Sequence, residues 1–335
     1  MQPLKHRLAI ASGVGVAVLL GTSFGVFDLL EWAIRDEFFR LRPLEPVTNR
    51  VVVVTIDEPD IQAVGDWPIP DQVLADLLIQ IRDQQPLVIG LDLYRDLPEG
   101  NGHEALIDVF RSTPSLIGIE KIIDNRISPP AILAELDQTA IADLVVDGDG
   151  NVRRALLTAQ DEQDGNILKF GLATKAALQY LEDQGITPQV DPNDPQRLRL
   201  GQATFSLLQN RSAGYSEASL GGYQILMNWR GPGTQFAQVS MQDVLSGQLP
   251  PDLMRDRIVY IGSVAASTND FFDVPYTHWY TDGDPMAGVF IHANLTSQMI
   301  ESALNGRPLL RGGAADISKT DAEDRFRLGH RGSVA

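Results

Sequence analysis

The 335-residue chain carries 27 Lys and Arg against 44 Asp and Glu, a net charge of −17. Nucleic acid and acidic lipid surfaces are therefore poor partners, because a phosphate-bearing surface needs a basic footprint. Cysteine is absent, which excludes a disulfide framework, a thiolate zinc site and a cysteine nucleophile, while 44% hydrophobic residues exclude global disorder.

Residues 1–7, with Lys5 and Arg7, precede an uncharged run from Leu8 to Phe27. At about 1.5 Å per residue this run reaches about 30 Å, the thickness of a bilayer core, so residues 8–27 are expected to form one transmembrane helix. A cleaved signal peptide is the alternative, but its apolar region is usually only about 7 to 15 residues. Lys5 and Arg7 before the span compete with Arg35, Arg40 and Arg42 after it, so charge alone leaves the orientation open. Ala9, Gly13, Ala17, Gly21 and Gly25 recur every fourth residue and form a small-residue ridge that would suit a homodimer in lipid. Beyond it, residues 28–45 are expected to continue the helix to Pro43, with a stripe at Phe27, Leu30, Ile34, Phe38 and Leu41 and with Trp32 at the interface. A stalk and a helix packed on the next domain fit this stripe equally.

From residue 46 to 311 short β-branched runs alternate with helical stretches. Val51–Ile56, Leu87–Leu91 and Ser115–Ile123 read as strands, and Asp71–Asp83 between the first two reads as a crossover helix, which implies parallel pairing. Ile132–Leu136 is a short helix, Asp147–Asn151 a turn into a strand at Val152–Ala159, and Leu168–Leu181 a helix. Arg197–Leu200 and Ala203–Leu208 read as a hairpin beyond a surface loop at Asp191–Pro195, and Tyr223–Trp229 as a further strand. Met241–Leu245 is a short helix, Arg257–Gly262 a core strand and His292–Leu304 a closing helix. The fold class is α/β, a mixed and partly parallel sheet flanked by helices, in one domain without internal repeats.

Motifs for chemistry are sparse. No phosphate-binding glycine loop or kinase or cyclase core is present, and Ser263 lacks the second glycine of a nucleophile elbow. The five histidines have no zinc spacing, so neither a metal nor a cofactor is expected. Asp147, Asp149 and Asn151 open like a calcium loop, but Val152 and Thr158 stand where such a loop needs Gly and Glu, which leaves an ordinary turn. Asp57, Glu58, Asp92, Ser263, Thr268 and Asp270 all fall just past strand ends, where α/β sheets place ligands, and His292 opens the closing helix. These groups are the candidate ligand-binding set, suited to a cation or a hydroxyl-rich small molecule. The competing reading is that each acid caps a helix or ties a turn.

Several segments resemble one family. Val51–Glu58, Trp67–Pro70, Pro86–Asp92, Asp149–Arg154, Asn228–Gly233, Arg257–Gly262, Asp270 and Gly288–Asn294 are similar to the CHASE domain of the second type, a sensory extracellular module associated with bacterial cyclases and histidine kinases. The resemblance implies a single-pass protein of the bacterial inner membrane with its N-terminus inside, a periplasmic sensor domain and no catalysis. Family members continue into further spans and an effector, whereas residues 312–335 are polar and expected to be disordered. Loss of the output, truncation or frameshift, and a separate output protein are the alternatives, with a membrane-tethered hydrolase using Ser263 and His292 as a further one.

Overall fold

The protein is described by a computed structural model, which covers residues 12–16, 18, 20, 21 and 25–310, apart from 166, 193, 211, 216–220 and 278–282. Part of the expected span, with Ala9 and Ala17 of its ridge, and all of the expected tail lie outside these. Among the described residues no helix is long and apolar enough to cross a membrane.

Helix α1 (Asp28–Leu41) begins after a turn at Gly25–Phe27 in which Gly25 has φ of 70°. That left-handed conformation costs glycine little. The helix is therefore not continuous from the span to Pro43 as the sequence suggests, and a β-carbon on Gly21 would lie 2.8 Å from the Phe27 ring that covers it. The buried face also differs. Trp32, Asp36 and Phe39 point inward, while Leu30, Ile34, Phe38 and Leu41 stay exposed, Leu41 by 71%. An ion pair from Asp36 to Arg153 and ring contacts from Trp32 to Tyr215 and from Phe39 to Tyr276 select this face. Hydrophobic spacing carries no record of such partners.

The chain then runs through β1 (Thr48–Ile56), α2 (Glu58–Val64), α3 (Asp71–Asp83), β2 (Val88–Asp92), α4 (His103–Arg111), β3 (Leu116–Glu120), α5 (Ala131–Glu135) and β4 (Thr139–Ile141). It continues with β5 (Val145–Val146), β6 (Val152–Asp161), β7 (Ile167–Phe170), α6 (Leu172–Asp183), β8 (Gln189–Asp191), β9 (Asp194–Leu200), β10 (Ala203–Ser206) and β11 (Tyr223–Leu226). Last come β12 (Phe236–Ser240), α7 (Met241–Leu245), β13 (Ile258–Ser263), β14 (Phe271–Phe272), β15 (Met286–Ala287) and α8 (Gly288–Asn305).

Six strands form a wholly parallel sheet in the order β12-β1-β13-β2-β3-β4. The mixed α/β class holds, but the antiparallel strands form separate small sheets, β11-β6-β5 with β7, β8-β9-β10, and β14-β15. A parallel sheet covered on both faces calls for uninterrupted apolar strands, and β1 is such a run. Val52, Val54 and Ile56 pack toward α3 and α4 with Leu74, Leu78 and Phe110. Val51 and Val53 face the opposite side with Leu172 of α6 and Val289 of α8.

Three local expectations change. Residues 168–170 are strand rather than helix, because β7 pairs with β6, Phe170 opposite Thr158. Asp191 and Asp194 pair across a tight turn between β8 and β9, so the expected loop narrows to that turn. The strand at Tyr223 stops at Leu226, since side chains of α8 take over the next backbone groups: Gln298 Oε1 accepts from Asn228 N at 2.9 Å, and Asn294 Oδ1 accepts from Arg230 N at 2.9 Å. Buried polar groups must be paired, and this explains how a helix with Asn294, Ser297 and Gln298 can lie in the interior.

Candidate functional site

The strand ends divide the candidate set in two. Asp57 caps α2, its Oδ1 accepting from Asp60 N at 2.9 Å while Asp57 N donates to Asp60 Oδ2 at 3.1 Å. Glu58 accepts from Ser267 N at 2.8 Å. Ser263 Oγ lies 2.9 Å from Thr268 Oγ1, accepts from Ala265 N and donates to the Ile56 carbonyl. These four residues fasten the turn after β13 to the start of α2, which is the capping and turn-tying role. Among the described residues His292 is not a partner of Ser263, so the expected alternative of a Ser263–His292 dyad is not assembled.

Asp92, Asp270 and His292 do come together, where β2 ends against the first turns of α8. His292 Nε2 stands 3.8 Å from Asp92 Oδ1, and the two side chains are 6% and 7% exposed. That separation is beyond hydrogen-bond reach. Asp92 Oδ2 is buried with no hydrogen-bond partner among the described residues. Asp270 lies against the start of α8, where a β-carbon on Gly288 would fall 2.7 Å from its Oδ2. Glycine there lets a carboxylate approach the positive end of the helix dipole. Burial pushes the Asp92 carboxyl up to about 7. Burial and then the charge of Asp92 push Asp270 up to about 6, and burial pushes the His292 imidazole down to about 4, against the pull of Asp270. Dry surroundings disfavour each charged form.

Neighbouring polar groups are committed elsewhere. Asp143, past β4, accepts from the amides of Ile122 and Ile123 at 3.0 Å each, and burial still raises its carboxyl. The Tyr260 hydroxyl bonds Thr296 of α8. A cavity of about 10 Å³ adjoins His292, lined also by Asp143, Arg154 and Leu172. Such a volume admits about one water. Among the described residues no three of His, Cys, Asp and Glu are placed to hold a metal ion.

Two further charged assemblies were not singled out by the sequence. Arg153 meets Asp36 of α1 at 2.7 Å, Asp149 at 2.7 Å and Asp147 at 3.2 Å. Arg154 reaches Asp147 at 2.8 Å and Gln224 at 2.9 Å, and the Tyr215 hydroxyl donates to Asp147 at 2.9 Å. The carboxylates of the calcium-like turn are thus already taken by guanidinium groups. The sign of it in the sequence is the pair of adjacent arginines near the start of β6. At the other end of α8, Arg307 binds Glu45 at 3.1 Å and the Asn228 carbonyl at 2.9 Å, while Arg42 donates to Asn228 Oδ1 at 2.7 Å. Glu301 of α8 pairs with Arg50 of β1 and lies 3.9 Å from Arg230. Burial works to raise the Glu45 carboxyl, but Arg307, Arg230 and Arg42 hold it below its ordinary range. Chain entry and chain exit are thereby clamped together.

The family described as the CHASE2 domain matches residues 13–315. No curated protein and no solved structure matches the chain.

Proposed function

The chain belongs to the CHASE2 family, and from that premise we propose that it is the membrane-anchored extracytoplasmic sensory module of a bacterial signal-transduction receptor. CHASE2 domains are typically extracytoplasmic sensors. The match over residues 13–315 is the observation that carries the proposal. Residues 8–27 serve as the anchor, with residues 1–7 in the cytoplasm.

The layout supports this direction of travel. Helix α8 has the Asp92, Asp270 and His292 cluster at its start and Glu301 near its end, about 14 Å further along at about 1.5 Å per residue. There the Arg307–Glu45 clamp joins it to the segment that follows α1. Small shifts of a packed helix, about 1 to 2 Å, are a common means of switching. Two copies held in one membrane pair through the span and the outward face of α1, whose exposed Leu30, Ile34, Phe38 and Leu41 would otherwise face water.

Because the chain has no cysteine, single cysteines test the topology directly. Glu104→Cys, at an exposed position on α4, should react with a membrane-impermeant maleimide in intact spheroplasts, and Gln2→Cys only after permeabilisation. Labelling of Glu104→Cys solely after permeabilisation would reject the extracytoplasmic placement.

A further inference from the structure

We propose that Asp92, Asp270 and His292 form a proton-binding site, so that the ligand this domain takes up at its core is a proton from outside the cell. This rests on the sensor reading and names its ligand. From β2 the site receives Asp92, from the segment after it Tyr94, from β13 Tyr260, from the segment after that Asp270, from α8 His292, from beyond β4 Asp143, and from β6, across the cavity, Arg154. The phenols are held neutral by burial, and Arg154 is engaged by Asp147 and Gln224. Among the described residues no Lys or Arg forms an ion pair with Asp92, Asp270 or His292. An interior that offers two carboxylates and no fixed cation cannot keep both ionised at little cost.

Asp92 supplies a second, independent indication. An ionised carboxylate needs donors, and its Oδ2 has none among the described residues, whereas a carboxylic acid needs only one acceptor for its proton. The neighbouring cavity of about 10 Å³, which His292 lines but Asp92 and Asp270 do not, has room for about one water. The elementary step is balanced: hydronium gives a proton to the carboxylate and leaves as water. The positions of Asp92 near 7 and Asp270 near 6 place this exchange close to neutrality. Its mechanical outlet is α8, because an ionised Asp270 is favoured against the helix N-terminus and a neutral one much less so.

The test is infrared difference spectroscopy of the full chain in nanodiscs, titrated from pH 5 to pH 8. A protonated-carboxyl band should disappear as pH rises through neutrality in the wild type, keep that near-neutral titration in Asp270→Asn, and in Asp92→Asn lose it, leaving only the lower-pH component of Asp270. A wild type without such a band, or a band unchanged by Asp92→Asn, overturns the proposal. Should Asp92→Asn not fold, loss of the near-neutral titration in Asp270→Asn overturns it, and its retention supports it. The spectrum reports the cluster itself whichever side of the membrane the domain occupies, so it stands or falls separately from the labelling experiment.

Discussion

Charge is handled in opposite ways at the two ends of α8 and around α1. Where the helix starts, the buried side chains of Asp92 and His292 and half-buried Asp270 have no guanidinium or ammonium partner among the described residues. Where it ends, and where α1 docks, each acid is met by arginine: half-buried Glu45 and Glu301 by Arg307, Arg230 and Arg50, and buried Asp36 and Asp147, with exposed Asp149, by Arg153 and Arg154. A compensated network is costly to disturb and so holds position. An uncompensated one lies close to a change of protonation and so can respond. The same residue types therefore serve an anchor in one place and a switch in the other.

The contrast is broken most severely at the anchor. Arg153→Met leaves Asp36, Asp147 and Asp149 facing one another, and removing one partner of a buried pair costs about 3 to 5 kcal/mol. Urea unfolding followed by tryptophan fluorescence should show that loss, and a midpoint within error of the wild type would mean that the network does not hold α1. The switch end should behave with the opposite sign. The folded Asp92 carboxyl, near 7 against 3.8 unfolded, binds its proton more tightly than the unfolded one, so the fold loses stability as pH rises between those values. Asp92→Asn should then be more stable at pH 8 by about 2 to 4 kcal/mol, a gain that shrinks as pH falls toward 4. His292 works the other way, losing stability as pH drops from about 6.5 to about 4, and the variant exposes that slope. The smallest effect belongs to the outward face of α1. Ile34→Glu should change stability by no more than about 0.5 kcal/mol, yet abolish disulfide cross-linking of two Leu41→Cys copies in membranes. Undiminished cross-linking would place the pairing elsewhere.

Parallel strands were legible because burial on both faces writes an unbroken β-branched run, as in Val51–Ile56, and α3 because Val73, Leu77, Leu78 and Ile81 repeat at helical spacing. Edge strand β12 was not, since Phe236–Ser240 contains a glutamine and leaves one face partly open. Residues 168–170 have apolar spacing compatible with helix or strand, and only the pairing with β6 decides. At the site, position past a strand end identified Asp92 and Asp270, but the same position also holds Asp57, which is spent on a cap. The anchor was invisible because an ion pair from residue 36 to residue 153 leaves no local pattern.

One consequence follows from the place of β13 in the sheet. It lies between β1 and β2, pairing Val51 with Ile258 and Val88 with the same residue, so the centre of the sheet is supplied by chain that emerges late from the ribosome. Strand β1 and the β2-β3-β4 block stay unjoined until that piece arrives. Closing the sheet therefore depends on contacts distant in sequence, Val51 and Val88 with Ile258, which form late and slowly.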